Sequence, residues 1–213
     1  MKQKAWLSWS FVKEGFLNLF WNFHKLVIYG LLVAVCMAGI ITIGPALMAL
    51  ASSTRMVAED EKSTVRFFAA EFRRLFLPGL FLSVLIIIMS ASFWSSLYVL
   101  SLNRTGLERS IAYAAISLLT VFAFFFFYYP FAGFNESKIR SIMLKSCAYA
   151  MGHLWDTIVQ ISIMVILWKM LSFSPVILAI LYLPLSFYFI NRFIIANNME
   201  IDSKNKTSAD KGC

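Results

Sequence analysis

The chain has 213 residues, 60% hydrophobic and only 14% charged, with a formal net charge of +8. A soluble domain is nearer half apolar and a quarter charged, and one of this length has no place to hide 21 phenylalanines. The composition excludes an ordinary water-soluble globule and points to a chain whose solvent is lipid.

Residues 1–11 mix Lys2 and Lys4 with Trp6, Ser8, Trp9 and Ser10. No small-residue cleavage site follows the first apolar run, so a retained helix is expected rather than a secretory signal. Five stretches approach the roughly 20 residues that a helix needs to cross about 30 Å of hydrocarbon: 26–43, 77–100, 110–130, 156–173 and 175–195. The first is the shortest and extends naturally backwards through FLNLFWNF, with Trp21 and His24 at an interface. It ends in ITIGPALMAL. Pro45 removes an N–H and clashes with the carbonyl four residues earlier, at Ile41, while Gly44 lets the backbone bend. The freed carbonyl needs a donor: the Thr42 hydroxyl, interfacial water or a neighbouring helix. After the bend, ALMALASSTRMVAED continues as helix and leaves the membrane at a new angle, either as a plain exit or as an elbow that aims the next segment at a partner.

Two segments between spans are amphipathic. In 63–76, Val65, Phe68, Phe72, Leu75 and Phe76 share a face apart from Arg66, Arg73 and Arg74, with Ser63 as N-cap and Pro78-Gly79 as terminator. In 137–155, Ile139, Ile142, Met143, Ala150 and Leu154 repeat the pattern. Such helices lie in the interface or dock a partner. Further on, SFSP (172–175) reads as a tight reversal, Pro184 as a kink, and residues 196–213 as a disordered polar tail. The whole is an all-α polytopic bundle, one domain over 1–195, with about five transmembrane helices and two interfacial ones. With five spans the termini lie on opposite sides. Seven of the 19 basic residues (Lys2, Lys4, Lys13, Lys25, Arg104, Arg109 and Lys169) fall on one side and the other twelve on the C-terminal side, which is therefore expected in the cytoplasm.

No Asp, Glu, Lys or Arg lies deep in these spans, which argues against a proton-coupled carrier or an intramembrane carboxylate enzyme. Cys36, Cys147 and Cys213 have no metal-like spacing. His153 with Asp156 is half of a metal site at most and reads as an interfacial histidine near a helix start. In SASFWSS, Ser92 with Ser96 and Ala91 with Ser95 allow close helix packing, and a hydroxyl-lined path is the alternative. No enzymatic activity, cofactor, metal or nucleic-acid partner is expected.

Thr42, Ile43, Gly44, Pro45 and Ala46, followed by a charged break and VRFFAAEFRRLFLPG, resemble the N-terminal half of the YesL family of bacterial membrane proteins. The resemblance runs from about Asn18 to Gly79; GHLWDTIV (152–159) is a weaker second match. It implies no catalytic activity. It implies a plasma-membrane accessory protein of carbohydrate uptake, partnered by the bilayer and by permease subunits of an ABC importer. The candidate structural or partner motif comprises Thr42, Gly44, Pro45, Phe68, Phe72, Arg73 and Arg74. The alternative is a small carrier for a neutral solute such as a sugar.

Overall fold

Gly44-Pro45 does not bend one long helix; it begins a second one. The computed structural model describes residues 9–37, 39–59, 64–101, 106–133 and 138–209. In it α1 (Trp9–Met37) takes in FLNLFWNF and stops. Gly39 is extended, a single 3-10 turn (Ile40–Thr42) follows, and α2 (Ile43–Ala58) opens with Gly44 and Pro45 in its first turn. A proline there costs α2 none of its own hydrogen bonds and leaves Ile41 O, in the turn before it, without an N–H four residues on. Seven helices follow: α3 (Val65–Arg74), α4 (Phe76–Ser101), α5 (Gly106–Phe126), α6 (Tyr129–Ala132), α7 (Ile139–Gly152), α8 (Leu154–Leu171) and α9 (Pro175–Ala209).

Among the described residues five helical stretches are long and apolar enough to cross a membrane: Lys13–Met37, Ile40–Ala58, Phe76–Ser101, Gly106–Ala132 and Leu154–Leu171. Ile180–Ala196, within α9, is a shorter apolar stretch. The protein is an all-α helical membrane bundle. The span that hydropathy alone undercounts is α2. Ser52, Ser53, Thr54 and Arg55 dilute it, yet 61% of its apolar window is buried, against 6–22% in the other four. Its run of alanines and hydroxyl residues lets neighbouring backbones approach closely.

Three boundaries differ from the sequence reading. The α3 cap is Thr64, whose Oγ1 accepts the Phe67 N–H at 3.3 Å; Ser63 lies outside the described residues. α3 ends at Arg74 with a turn at Leu75, and Pro78-Gly79 lies in the first turn of α4 instead of terminating the amphipathic helix. α9 remains helical to Ala209, where a disordered tail was expected; between 196 and 209 there is neither proline nor glycine to break it.

The chain expected as one domain divides by contacts into two compact units. Unit 1 comprises Met1–Ala34, Leu50–Phe68 and Val159–Cys213; unit 2 comprises Val35–Ala49 and Ala69–Ile158.

In unit 1, α1 and α9 run antiparallel. The Tyr188 hydroxyl donates to Gly15 O at 2.9 Å, and fifteen residues further along α1 Gly30 faces the carbonyl of Ile180. That carbonyl is the one Pro184 leaves without an intrahelical donor. α9 also holds α2: Asn191 Nδ2 donates to Ala51 O and Thr54 Oγ1, both at 2.9 Å, and Arg192 Nη1 donates to Ala58 O at 3.1 Å. The start of α1, the end of α2 and the Tyr188–Arg192 turn of α9 therefore share one end of the unit.

In unit 2, Met48, Leu75, Leu82, Tyr129 and Ile142 form a buried core, with Phe81, Phe126 and Met143 packed around it. α7 turns Ile142, Ser146 and Ala150, spaced by four, into this interior. The Tyr129 hydroxyl donates to Pro78 O at 3.2 Å.

At Gly30 an added methyl would sit 1.9 Å from the Ile180 carbonyl oxygen, a backbone atom that has no free end to swing away. Gly30→Ala should lower stability by about 1–3 kcal/mol or prevent assembly, whereas Gly106→Ala, where nothing lies within 4 Å, should be neutral or better. Thermal unfolding of both variants in detergent checks this.

Candidate functional site

The residues that carry the family resemblance assemble into a joint. α1 ends with the Thr42 hydroxyl bridging back to the carbonyls of Cys36 and Gly39. Pro45 has no N–H for Ile41 O. The Ser83 hydroxyl of α4 replaces it, donating to Ile41 O at 2.8 Å and accepting the Gly44 N–H at 2.8 Å. One side chain thus satisfies both backbone groups at the break, so the donor is the neighbouring helix and not Thr42. Approach this close requires glycine on both helices. A Cβ on Gly44 would lie 2.0 Å from Gly79 O, and one on Gly79 would lie 2.5 Å from the Cα of Pro45. Gly44 and Pro45 are buried, so they pack the bundle and present no surface to a partner.

The other four motif residues lie along α3. Phe68, in unit 1, is buried and stacks on Tyr29 with ring centroids 6.0 Å apart. Phe72 is half-buried against Phe76. Arg74 pairs with Glu71 at 2.6 Å and donates to Gly133 O at 3.3 Å, which ties α3 to the end of α6. Arg73 is exposed, as is Arg66 two turns earlier. Of the predicted set, Thr42, Gly44 and Pro45 come together, and Arg73 is the member that faces outward without a structural task among the described residues.

His153 closes α7, and its Nδ1 lies 3.1 Å from Oδ2 of the buried Asp156. Its ring stacks on Tyr149 at 4.5 Å, and its carbonyl accepts from the Thr157 hydroxyl, which in turn meets the Tyr128 hydroxyl at 3.0 Å. These bonds clip the α7–α8 corner to the start of α6. The second serine-rich candidate is more open. Ser95 and Ser96, with Tyr98, Glu108 and Ala112, line a mainly apolar groove of about 470 Å³ between α4 and α5, and Ser96 spends its proton on Ser92 O at 2.9 Å.

A polar groove that the sequence reading passed over lies in unit 1. Glu14, Leu17, Asn18, Trp21 and Asn22 of α1 and Arg192 of α9 line an open recess of about 440 Å³. Asn22 Nδ2 donates to Asn18 Oδ1 at 3.0 Å and to Asn18 O at 3.1 Å. The signal was available: Glu14, Asn18 and Asn22 recur every four residues on one face of an otherwise apolar helix.

Ser83→Ala should leave the part-buried Ile41 carbonyl and the buried Gly44 N–H without the Ser83 hydroxyl and cost about 1–3 kcal/mol. Gly44→Ala should cost more, because its methyl meets the backbone of Gly79. Chemical denaturation in detergent is expected to rank wild type above Ser83→Ala above Gly44→Ala; equal stability of all three would show that the joint does not hold α2 to α4.

Compared with known protein families, curated proteins and solved structures, the chain matches none of them.

Proposed function

We propose that this is a non-enzymatic accessory protein of the bacterial plasma membrane, of the YesL type, that associates with permease subunits of a carbohydrate ABC importer. The observation that supports this reading is the two-sided character of α3. One side is fixed in the protein by Phe68, Glu71 and the Arg74–Gly133 bond, and the other shows Arg66, Ala69, Ala70 and Arg73. A helix anchored on one face with basic residues on the other suits docking at the cytoplasmic surface of a partner. Lys13, Arg55 and Arg192 lie at the end of unit 1 where α1 starts and α2 ends, so that end is assigned to the cytoplasm. The C-terminal side keeps its expected orientation, and the start of α1 joins it.

One observation favours the alternative, a carrier for a neutral solute. Unit 1 buries Ser52, Ser53, Thr54, Gln160, Ser186 and Asn191, and neither Ser52 nor Ser53 has a hydrogen-bond partner for its hydroxyl. Polar groups are costly in a membrane interior and mark solute paths when they face one.

Mild-detergent purification from the native host separates the readings. Permease subunits should co-elute with wild type and be lost from an Arg66→Glu/Arg73→Glu variant that is itself monodisperse and correctly inserted. Sugar entry into liposomes that hold this protein alone, abolished by Asn191→Leu, would establish the carrier instead. Orientation has its own check in a background without native cysteines. Lys13→Cys in intact cells should resist an impermeant thiol reagent. Ser174→Cys, about 27 Å from Arg192 along the chain axis of α9 at 1.5 Å per residue, should react.

A further inference from the structure

The groove of unit 1 combines features that the accessory role does not use. It is lined by one carboxylate, Glu14, and one guanidinium, Arg192. Among the described residues Glu14 has no ion-pair partner. Arg192 is held in place by its bond to Ala58 O. Asn22 spends its amide N–H groups on Asn18, which leaves its own Oδ1 as an acceptor two turns along the recess from Glu14. The recess thus presents two acceptors and a cationic donor.

Its depth is set by the helices that form it. The span Lys13–Met37 begins here, and the apolar stretch Ile180–Ala196 ends here, so the groove lies at the level of lipid headgroups. On the same turns of α1, Phe16, Leu17, Phe20 and Trp21 are 59, 50, 77 and 73% exposed. In a bilayer those side chains face acyl chains, and tryptophan prefers this boundary. A ligand that is polar at this depth and lies against exposed apolar rings is a lipid.

We propose that the groove binds the headgroup of a zwitterionic phospholipid with a primary amine, phosphatidylethanolamine. The ammonium donates to the Glu14 carboxylate, and the phosphate accepts from the Arg192 guanidinium, which lies beside Gly15 and whose planar fork suits it. A choline headgroup carries the same charges but has no N–H to donate. A glycerol headgroup supplies the phosphate and leaves Glu14 uncompensated. The assignment rests only on the chain being embedded in a membrane, so it stands or falls apart from any role in sugar uptake.

The test uses full-length protein in nanodiscs made from equal amounts of phosphatidylethanolamine, phosphatidylcholine and phosphatidylglycerol. Lipid retained on extraction is identified by native mass spectrometry. Phosphatidylethanolamine should be enriched over its supply. Glu14→Gln, which removes the charge and keeps the shape, should reduce the bound ratio of phosphatidylethanolamine to phosphatidylglycerol about tenfold, as expected from losing one charge-assisted hydrogen bond, and leave thermal unfolding unchanged. Glu14→Asp, a second variant that keeps the charge, should retain the preference for phosphatidylethanolamine over phosphatidylcholine. Retention in proportion to supply, a preference for phosphatidylglycerol, or undiminished enrichment in Glu14→Gln would overturn the proposal. Glycerophosphoethanolamine competing as well as the intact lipid at equal concentration would overturn the assignment to a membrane lipid in favour of a soluble ligand.

Discussion

A backbone carbonyl inside lipid has no water to turn to, and the fold is arranged around that constraint. Two prolines each strip a carbonyl of its helical donor. Pro45 frees Ile41 O, and Ser83 answers it from α4. Pro184 frees Ile180 O, which faces Gly30 on α1. In both places the freed group points at another helix and that helix approaches through glycine. The flaws in the local hydrogen-bond ladder have become the positions at which helices recognise one another. Asn191 and Arg192 follow the same logic, reaching carbonyls along and at the end of α2.

This arrangement explains why α2 tolerates the composition it has. A helix that must face lipid needs large apolar side chains; a helix surrounded by protein needs small ones. ALMALASST is the second kind, and its hydroxyls are acceptable where neighbouring groups take them up, as the Thr54 hydroxyl does with Leu50 O at 2.8 Å. The other spans show the first kind. Ile88, Trp94, Leu118 and Val165 are all more than half exposed, in keeping with surfaces that meet acyl chains.

Much of this was legible in the sequence, and the parts that were not share a cause. Helical class, the spans around α4, α5 and α8, and the loss of the donor at Ile41 all follow from local rules about apolar length and proline. That Ser83 would supply the donor does not, because a serine 42 residues away in an apolar run carries no local mark of its partner. α2 was read as a helix leaving the membrane, as a plain exit or as an elbow, and its burial among neighbouring helices has no local mark in the sequence. Phe68 was placed correctly on the apolar face of α3, but whether that face met lipid or Tyr29 depended on a contact with α1. The Glu14, Asn18 and Asn22 face is readable by its period of four.

The bonds from α9 to α2 also set an order in time. Ala58 leaves the ribosome 133 residues before Asn191, which at about 5–20 residues per second is an interval of roughly 7–27 s. Throughout it, the carbonyls of Ala51 and Ala58 lack the side chains that complete them. The nascent chain must therefore carry a half-capped, weakly apolar α2 through most of its own synthesis, and the last helix to be made is the one that closes the first hairpin.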